Sequence, residues 1–308
     1  MLYRDFGKTG WKVSAIGLGT WNIGNQWGYV DDTTAWATVH KALDCGINLI
    51  DTAEEYGLPH GFSEERLGIA LAGIRHRVYL VSKIGYWGER SGQMVPKTTV
   101  DMIRLCCHAC LGRLRTDWID VMLCHEGDIE NPSIYLEAFD LLKKEGKIRA
   151  YGISTDDINV LRNFNIDGNC SVAQFGYSLL SPGAEIELLP YCQKNGIAVE
   201  IKGPLAKGLL SGYYDHETVF TDEIRKSWNR DGVGRGIYET AIARVQQLKK
   251  ILKPGEQMVT AALRYIISHP ANPVAIPGAK SPEQVMTNAA AGERVLTSRE
   301  MDNLKAVI

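Results

Sequence analysis

The 308-residue chain has no apolar run long enough to cross a bilayer. Its opening residues, Met1-Leu2-Tyr3-Arg4-Asp5, carry no apolar secretion core, so no membrane role is expected. It has no long run of like charge either: 34 basic and 36 acidic residues leave a formal net charge of -2. Without a basic stripe, nucleic acid has little to hold. Cysteine is sparse and odd in number, seven at irregular spacing, which is not a disulfide framework and fits a reducing cytoplasm. In that setting Asn169-Cys170-Ser171 is plain sequence and not a glycan acceptor. The dinucleotide fingerprint is missing too. Asn22 stands where Gly17 and Gly19 need a third glycine, and Gly232-Val233-Gly234-Arg235-Gly236 has the wrong spacing. Nor is there a metal set. Cys106, Cys107, His108 and Cys110 fall on one expected helix with no second pair at matching distance, and His216-Glu217 lacks a second histidine.

What is present is one phrase, repeated. Apolar runs at 15–19, 47–50, 78–81, 118–123, 148–153, 172–174, 197–201 and 273–276 each precede a stretch of helical period. Those stretches lie at 33–45, from 63, 97–114, 134–144, 157–165, 185–195, 238–252 with 257–269, and 282–290. The runs are continuously apolar more than alternating, as in a parallel sheet covered on both faces. Ser63 ahead of Glu65 and Arg66, Thr98 or Thr99 ahead of Asp101, and Ser281-Pro282-Glu283 read as helix starts. Gly46, Gly146 and Gly196 sit where helices need a left-handed last residue. Residues 3–14 read as a hairpin around Gly7 to Gly10. Eight units with no linker between them predict an α/β fold, a (β/α)8 TIM barrel made as a single domain by residues 1–308, with the hairpin capping its bottom.

Active residues of such a barrel gather at the C-terminal strand ends. Here the second strand runs into Asp51-Thr52-Ala53-Glu54-Glu55-Tyr56-Gly57, the third ends in Ser82-Lys83 and the fourth in Cys124-His125. Alone, a strand-end Lys is usually solvated and a buried Asp is usually a cap. Together, Asp51, Tyr56, Lys83 and His125 make a set for carbonyl reduction. A phenol is a poor acid at neutral pH, an ammonium beside it favours phenolate, a carboxylate keeps the ammonium charged, and an imidazole can hydrogen-bond the substrate oxygen. Trp21, Trp27, Trp87 and Trp228 fall on rim loops, where aromatic walls suit a small-molecule pocket alongside His125 and Glu126. Trp27 and Trp228 serve equally well as cover for the barrel top, and Glu126 as a solvated acid. Cys124 is expected to point away from His125.

Over nearly its full length the chain resembles the aldo-keto reductase family, in its bacterial type with a short C-terminal tail. The matching stretches are Gly17-Leu18-Gly19-Thr20-Trp21, the 51–57 segment, Ser82-Lys83, Gly152-Ile153-Ser154, Gln174 with Tyr177-Ser178, Pro204-Leu205-Ala206-Lys207-Gly208-Leu209-Leu210, and Ile276-Pro277-Gly278-Ala279-Lys280 with Gln284 and Asn288. The resemblance implies an NAD(P)-dependent enzyme passing a hydride between nicotinamide and a small aldehyde, ketone or matching alcohol, sugars and other hydroxylated carbonyls included. Tyr56 would be its general acid/base in a tetrad with Asp51, Lys83 and His125. The cofactor would lie extended across the barrel mouth, with Ser154 and Gln174 at the carboxamide, Leu205 and its neighbours at the pyrophosphate, and Lys280, Gln284 and Asn288 at the adenosine end. The implied binding set also takes in Gly19, Thr20, Trp21, Asp51, Thr155, Lys202, Gly203, Pro204, Lys207, Gly208, Ile276 and Gly278. Lys280 beside a helix start suits a 2′-phosphate, which favours NADP(H) over NAD(H).

Two positions depart from the family pattern. Thr155 stands where relatives often carry Asn, and Lys202-Gly203 where many carry a stacking Tyr and a Ser. A cation at 202 is expected to disfavour the oxidised, positively charged nicotinamide, or to reach a phosphate or the substrate. It also admits a Schiff-base aldolase using Lys83 or Lys202. A third class is a cofactor-binding, redox-sensing regulatory subunit. The 212–236 segment is expected to fold over the cofactor, and the short tail to leave the pocket open. Substrate, direction and oligomeric state are not legible in the sequence.

Overall fold

The computed structural model describes residues 1–86 and 97–307. Eight parallel strands follow one another in chain order: β3 (Leu18–Gly19), β4 (Leu49–Asp51), β5 (Tyr79–Ile84), β6 (Ile119–Cys124), β7 (Ile148–Ser154), β8 (Val172–Gly176), β9 (Ala198–Lys202) and β10 (Val274–Ala275). Parallel bridges from Ile16 to Ala275 and from Gly19 to Gly278 join the last strand to the first and close the barrel. Ahead of it, β1 (Tyr3–Asp5) and β2 (Lys12–Ser14) form the antiparallel hairpin. The outer layer holds α1 (Asp32–Asp44), α2 (Phe62–Ala70), α3 (Val100–Leu114), α4 (Ser133–Lys144), α5 (Ile158–Phe164), α6 (Leu188–Asn195), α7 (Arg235–Ile251), α8 (Met258–Ile267), α9 (Pro282–Ala290) and α10 (Ser298–Lys305). Among the described residues, no helix is long and apolar enough to cross a membrane.

The position of the site follows from side-chain alternation along the strands. Leu49, Val81, Val121, Leu123, Ala150, Val172, Ala198 and Val274 point inward and pack with Phe6 and Val13 of the hairpin. The alternate residues, among them Ile50, Leu80, Met122, Ile153, Phe175 and Ile201, pack outward under the helices. Two residues along the inward face, Leu49 gives way to Asp51, Val81 to Lys83, Leu123 to His125, Val172 to Gln174 and Ala198 to Glu200. The barrel therefore lays a polar layer on an apolar floor at its C-terminal end.

The expected helices and strands lie close to the observed ones, with instructive differences. Thr99 and Ser281 cap α3 and α9 through their side chains, and Gly46, Gly146 and Gly196 adopt φ of 82, 72 and 62°. Ser63 is not a cap. It lies inside α2, behind Gly61 at the cap position, and its hydroxyl donates to the Thr20 carbonyl at 2.9 Å. Gly61 suits that position because its φ of 83° is left-handed, where a side chain would be strained. The 185–195 stretch splits into a short 3-10 turn (Gly183–Glu185) and α6, because Pro190 lacks an N–H and suits only a helix's first turn. α10 was not expected, although Thr297 and Glu300 form a capping box that is visible in sequence. Trp87 lies outside the described residues.

Gly152 of β7 pairs with Val172 of β8, and a Cβ there would meet the Val172 carbonyl oxygen at 1.7 Å. Gly152→Ala is expected to cost about 3 kcal/mol or more, read as a lowered denaturation midpoint. Gly112→Ala on α3, with nothing within 4 Å of the added carbon, is the control and should be neutral or stabilising.

Candidate active site

The strand ends bring Asp51, Tyr56 and Lys83 into direct contact. Lys83 has no solvent exposure, and its ammonium donates to Asp51 Oδ1 at 2.7 Å, the Thr52 carbonyl at 2.7 Å and Tyr56 Oη at 3.2 Å. Asp51 Oδ2 is equally close at 2.7 Å, so acceptors surround an ammonium that can only donate. Tyr56 Oη is thus an acceptor toward Lys83, which leaves its own O–H for a partner at the mouth. Trp21 stacks on the Tyr56 ring with centroids 5.6 Å apart, and Lys83 Nζ lies 4.6 Å from the ring centre. Burial disfavours a charged Lys83, but Asp51 and then Tyr56 outweigh it and hold the group above the ordinary lysine range. The phenol behaves differently from the expectation that Lys83 would bring it down. Burial outweighs Lys83 and pushes Tyr56 up to about 12, so the phenol keeps its proton at neutral pH.

His125 follows β6 directly, with its ring centroid 6.1 Å from that of Tyr56 and 5.2 Å from that of Tyr86. Burial, then Lys83 and Lys202, push it well below the usual imidazole range, so it is neutral. Its Nδ1 makes no hydrogen bond and lies 3.6 Å from Glu55 Oε1. Burial raises Glu55 to about 7. Cys124 turns outward into the helix-packed core, away from His125. A cavity of about 480 Å³ opens beside His125, lined among the described residues by Tyr86, Asp128, Ser154, Thr155, Asp156 and Lys202.

The remaining expected residues divide by place. Ser154 and Lys202 meet at 3.4 Å, and Lys202 pairs with Asp156 at 3.2 Å. The Thr155 hydroxyl is spent on the Gly127 carbonyl at 2.5 Å, tying two rim loops together. Gln174 donates from Nε2 to Asp51 Oδ2 at 2.9 Å and to Glu200 Oε2 at 2.8 Å. After β9 the backbone turns left-handed at Gly203, Ala206, Lys207 and Gly208, around Pro204 and Leu205. Across the mouth, Gly19 and Gly278 bridge the first and last strands, and the Thr20 hydroxyl donates to the Asp51 carbonyl at 2.8 Å. Ile276 is buried in the barrel floor. Lys280 donates to the Trp27 carbonyl at 3.0 Å, while the Gln284 side chain accepts from the Lys280 N–H at 2.8 Å and Asn288 donates to the Gly278 carbonyl at 3.4 Å.

Three pocket candidates are committed elsewhere than to an open wall. Trp27 is buried, with its edge to Trp21 at 5.0 Å. Trp228 packs with Phe220, Tyr238 and Leu209 inside the loop cluster. Glu126 accepts from the Tyr135 hydroxyl at 2.5 Å. Cys107 and Cys110 are buried packing residues, and no metal-holding cluster occurs among the described residues.

Four residues that sequence reasoning passed over belong to the site. Glu55 carries no signal of its own beside Asp51 and Tyr56, and Asp156 only becomes a partner of Lys202 once β7 and β9 flank β8. Arg225 sits over the Trp27 ring at 5.4 Å, pairs with Asp222 at 2.7 Å and hydrogen-bonds Tyr214 at 2.6 Å. Nothing in its local sequence announces that. Glu200 could have been found, since it alternates with Ala198 and Lys202 on one strand face.

The family model for the Aldo/keto reductase family matches residues 15–308. "Aldo-keto reductase YhdN" of Bacillus subtilis is 32% identical over 319 residues, spanning 100% of this chain and 94% of the relative. An "NADH-specific methylglyoxal reductase" of Escherichia coli is 33% identical, over 92% of this chain and 91% of the relative. The solved aldo-keto reductase of Klebsiella pneumoniae in complex with NADPH superposes with a TM-score of 0.75 at 31% identity, over 100% of this chain and 95% of that one. The closed eight-stranded barrel, the strand-end residues and these matches agree: the chain belongs to the aldo/keto reductase family.

Proposed function

We propose that this protein is an oxidoreductase interconverting small aldehydes or ketones and the matching alcohols with a nicotinamide cofactor, NADP(H) in preference to NAD(H), and that Tyr56 is its general acid/base. The observation that carries the reading is the set of acceptors around Lys83, which leaves the Tyr56 proton free to face the mouth. The residues at the rim suit a dinucleotide phosphate. Trp21 Nε1 and Trp27 Nε1 are buried without partners. The left-handed turns at 203 and 206–208 give the backbone curvature that presents amides to phosphate. Burial and then Arg225 hold Lys280 below the ordinary lysine range, a strain that a bound phosphate relieves. Lys280, Arg225, Gln284 and Asn288 would hold the adenosine end, and Ser154 and Gln174 the carboxamide.

When bound, the cofactor supplies or accepts the hydride at the reacting carbon. The chain's own groups handle the proton. In reduction Tyr56 donates its O–H to the carbonyl oxygen, and in oxidation it takes that proton back. The Lys83 ammonium offsets the charge left on the phenol oxygen, and Asp51 keeps Lys83 charged. Neutral His125 offers a ring N–H to the same oxygen without adding charge. The polar cavity, with Asp128, Asp156 and Lys202 on its walls, suits a hydroxylated carbonyl better than a purely apolar one. Lys202 is poised to oppose the positive charge of oxidised nicotinamide, which favours the reductive direction.

The two rival readings make other demands. A Schiff-base aldolase needs a free amine, and Asp51 holds Lys83 as an ammonium while Asp156 pairs Lys202. Borohydride trapping with substrate should leave no covalent adduct. A regulatory subunit would bind cofactor with negligible turnover.

Tyr56→Phe should lower kcat for carbonyl reduction by about 10²–10⁴-fold while NADPH affinity, followed by tryptophan fluorescence, stays within about threefold. Wild-type affinity for the dinucleotide in Tyr56→Phe together with full activity would end the acid/base assignment. Lys280→Ala should weaken NADPH roughly tenfold or more and leave NADH nearly unchanged. Equal loss for both cofactors would remove the 2′-phosphate contact. His125 should stay neutral through pH 5–8, and a nitrogen NMR titration of its ring showing protonation in that window would contradict its placement as an uncharged donor.

A further inference from the structure

Beneath the proposed tetrad lies an acid to which no role has been given. Glu200 on β9 has no solvent exposure and pairs in register with Gln174 on β8. Its Oε2 accepts from Gln174 Nε2 at 2.8 Å, and that same nitrogen donates to Asp51 Oδ2 at 2.9 Å. Its Oε1 is buried with no hydrogen-bond partner.

We propose that Glu200 is a positioning residue that, as a neutral carboxylic acid, clamps the Gln174 amide so that Nε2 serves Asp51 and the amide oxygen is kept for the nicotinamide carboxamide. The inference rests on the nicotinamide-dependent reading above. A primary amide has two N–H groups, and here both are taken by acid oxygens. Turning the amide over would set its carbonyl oxygen against Asp51, which already accepts from Lys83. Asp51 thereby sets which end of Gln174 faces it, and Glu200, by taking the second N–H, holds the amide in that position.

The charge state follows from what surrounds the group. Asp51 faces it from β4 and Lys83 from β5, with Tyr56 beyond Lys83. β8 presents Gln174 and β10 presents Val274, neither of them ionisable, and Lys202 lies two residues along β9 beside Asp156. Lys83 and Asp51 already neutralise one another. An ionised Glu200 would be a second buried carboxylate with one hydrogen bond and no cation of its own. Burial, and then Asp51, raise it from 4.5 to about 8 against the pull of Gln174 and Lys83.

Two variants and two readouts test this. Between the ordinary glutamate pKa and about 8, the folded protein holds a proton that the unfolded chain has lost. The contribution of Glu200 to stability is therefore present at acid pH and lost as pH rises to about 8. Glu200→Gln cannot ionise, so its Tm should gain on wild type from pH 5 to 8 and then run parallel. Parallel curves throughout would overturn the neutral acid. Glu200→Leu removes the acceptor and should weaken NADPH about tenfold, with Glu200→Gln restoring affinity to within about threefold. Wild-type NADPH affinity in Glu200→Leu would overturn the clamp. Failure of the wild-type protein to bind NADPH or NADH would instead overturn the proposed function and the carboxamide half of this inference, while the Tm curves still decide the protonation of Glu200.

Discussion

A lysine cut off from water stays charged only where acceptors take its hydrogens and a carboxylate balances it. Lys83 meets that condition through Asp51, the Thr52 carbonyl and Tyr56, and much of the mouth is arranged around the result. The pair fixes the tyrosine oxygen as an acceptor on one side and frees its hydrogen on the other. Burial suppresses protonation of His125, and the Lys83 ammonium adds to it, because a second cation nearby is disfavoured. The pair also leaves Glu200 without a counter-ion, since Asp51 has already claimed the available ammonium. Burial, and the buried ion pair after it, thus shape the protonation of three neighbours, Tyr56, His125 and Glu200.

Such a pair survives only on rigid support. The apolar inward layer from Leu49 to Val274, packed against Phe6 and Val13, supplies a floor with no water to compete for the ammonium. The walls are held by a second tier of buried charge. Arg66 on α2 donates to the Ile23 carbonyl, to the Val30 carbonyl at 2.7 Å and to Asp32 at 2.9 Å, which folds down the loop carrying Trp21 and Trp27. Glu64 joins Arg113 at 2.7 Å and Ser82 at 2.6 Å, locking α2 and α3 behind β5. Glu54 accepts from the Gly85 N–H at 2.8 Å, so the segment that delivers Tyr56 also holds the end of β5.

The far side of the mouth is built with less burial and more loop. Arg225 is held by Asp222 and Tyr214 and sits against three aromatic rings, which brings a second cation toward Lys280. On the near side, Lys202 puts a cation at the end of β9, tempered by Asp156. Under the proposed function, these cations would meet the phosphates at one end of the dinucleotide and the charge of its ring at the other.

The barrel was legible in the order of apolar and amphipathic segments, because alternation of strand and helix leaves few other ways to bury both faces of a parallel sheet. Asp51, Lys83 and His125 were legible because each ends an apolar run, and a strand end in this architecture points to one rim. Residues whose meaning depends on a neighbour were not. Ser63 looks like a cap until its hydroxyl is seen to bond Thr20 across the barrel mouth, and Trp228 looks like a wall until Phe220 and Tyr238 pack on it. Glu200 and Gln174 are distant in sequence and acquire a shared role only when β8 and β9 fall into register. The upward pKa of Tyr56 was equally hidden, since burial is a property of the folded site and not of the residue list. Periodicity is local, and so the chain alone determined which residues reach the rim. Contact and desolvation are collective, and only the tertiary structure decided which of them carry charge, which carry protons and which merely fill space.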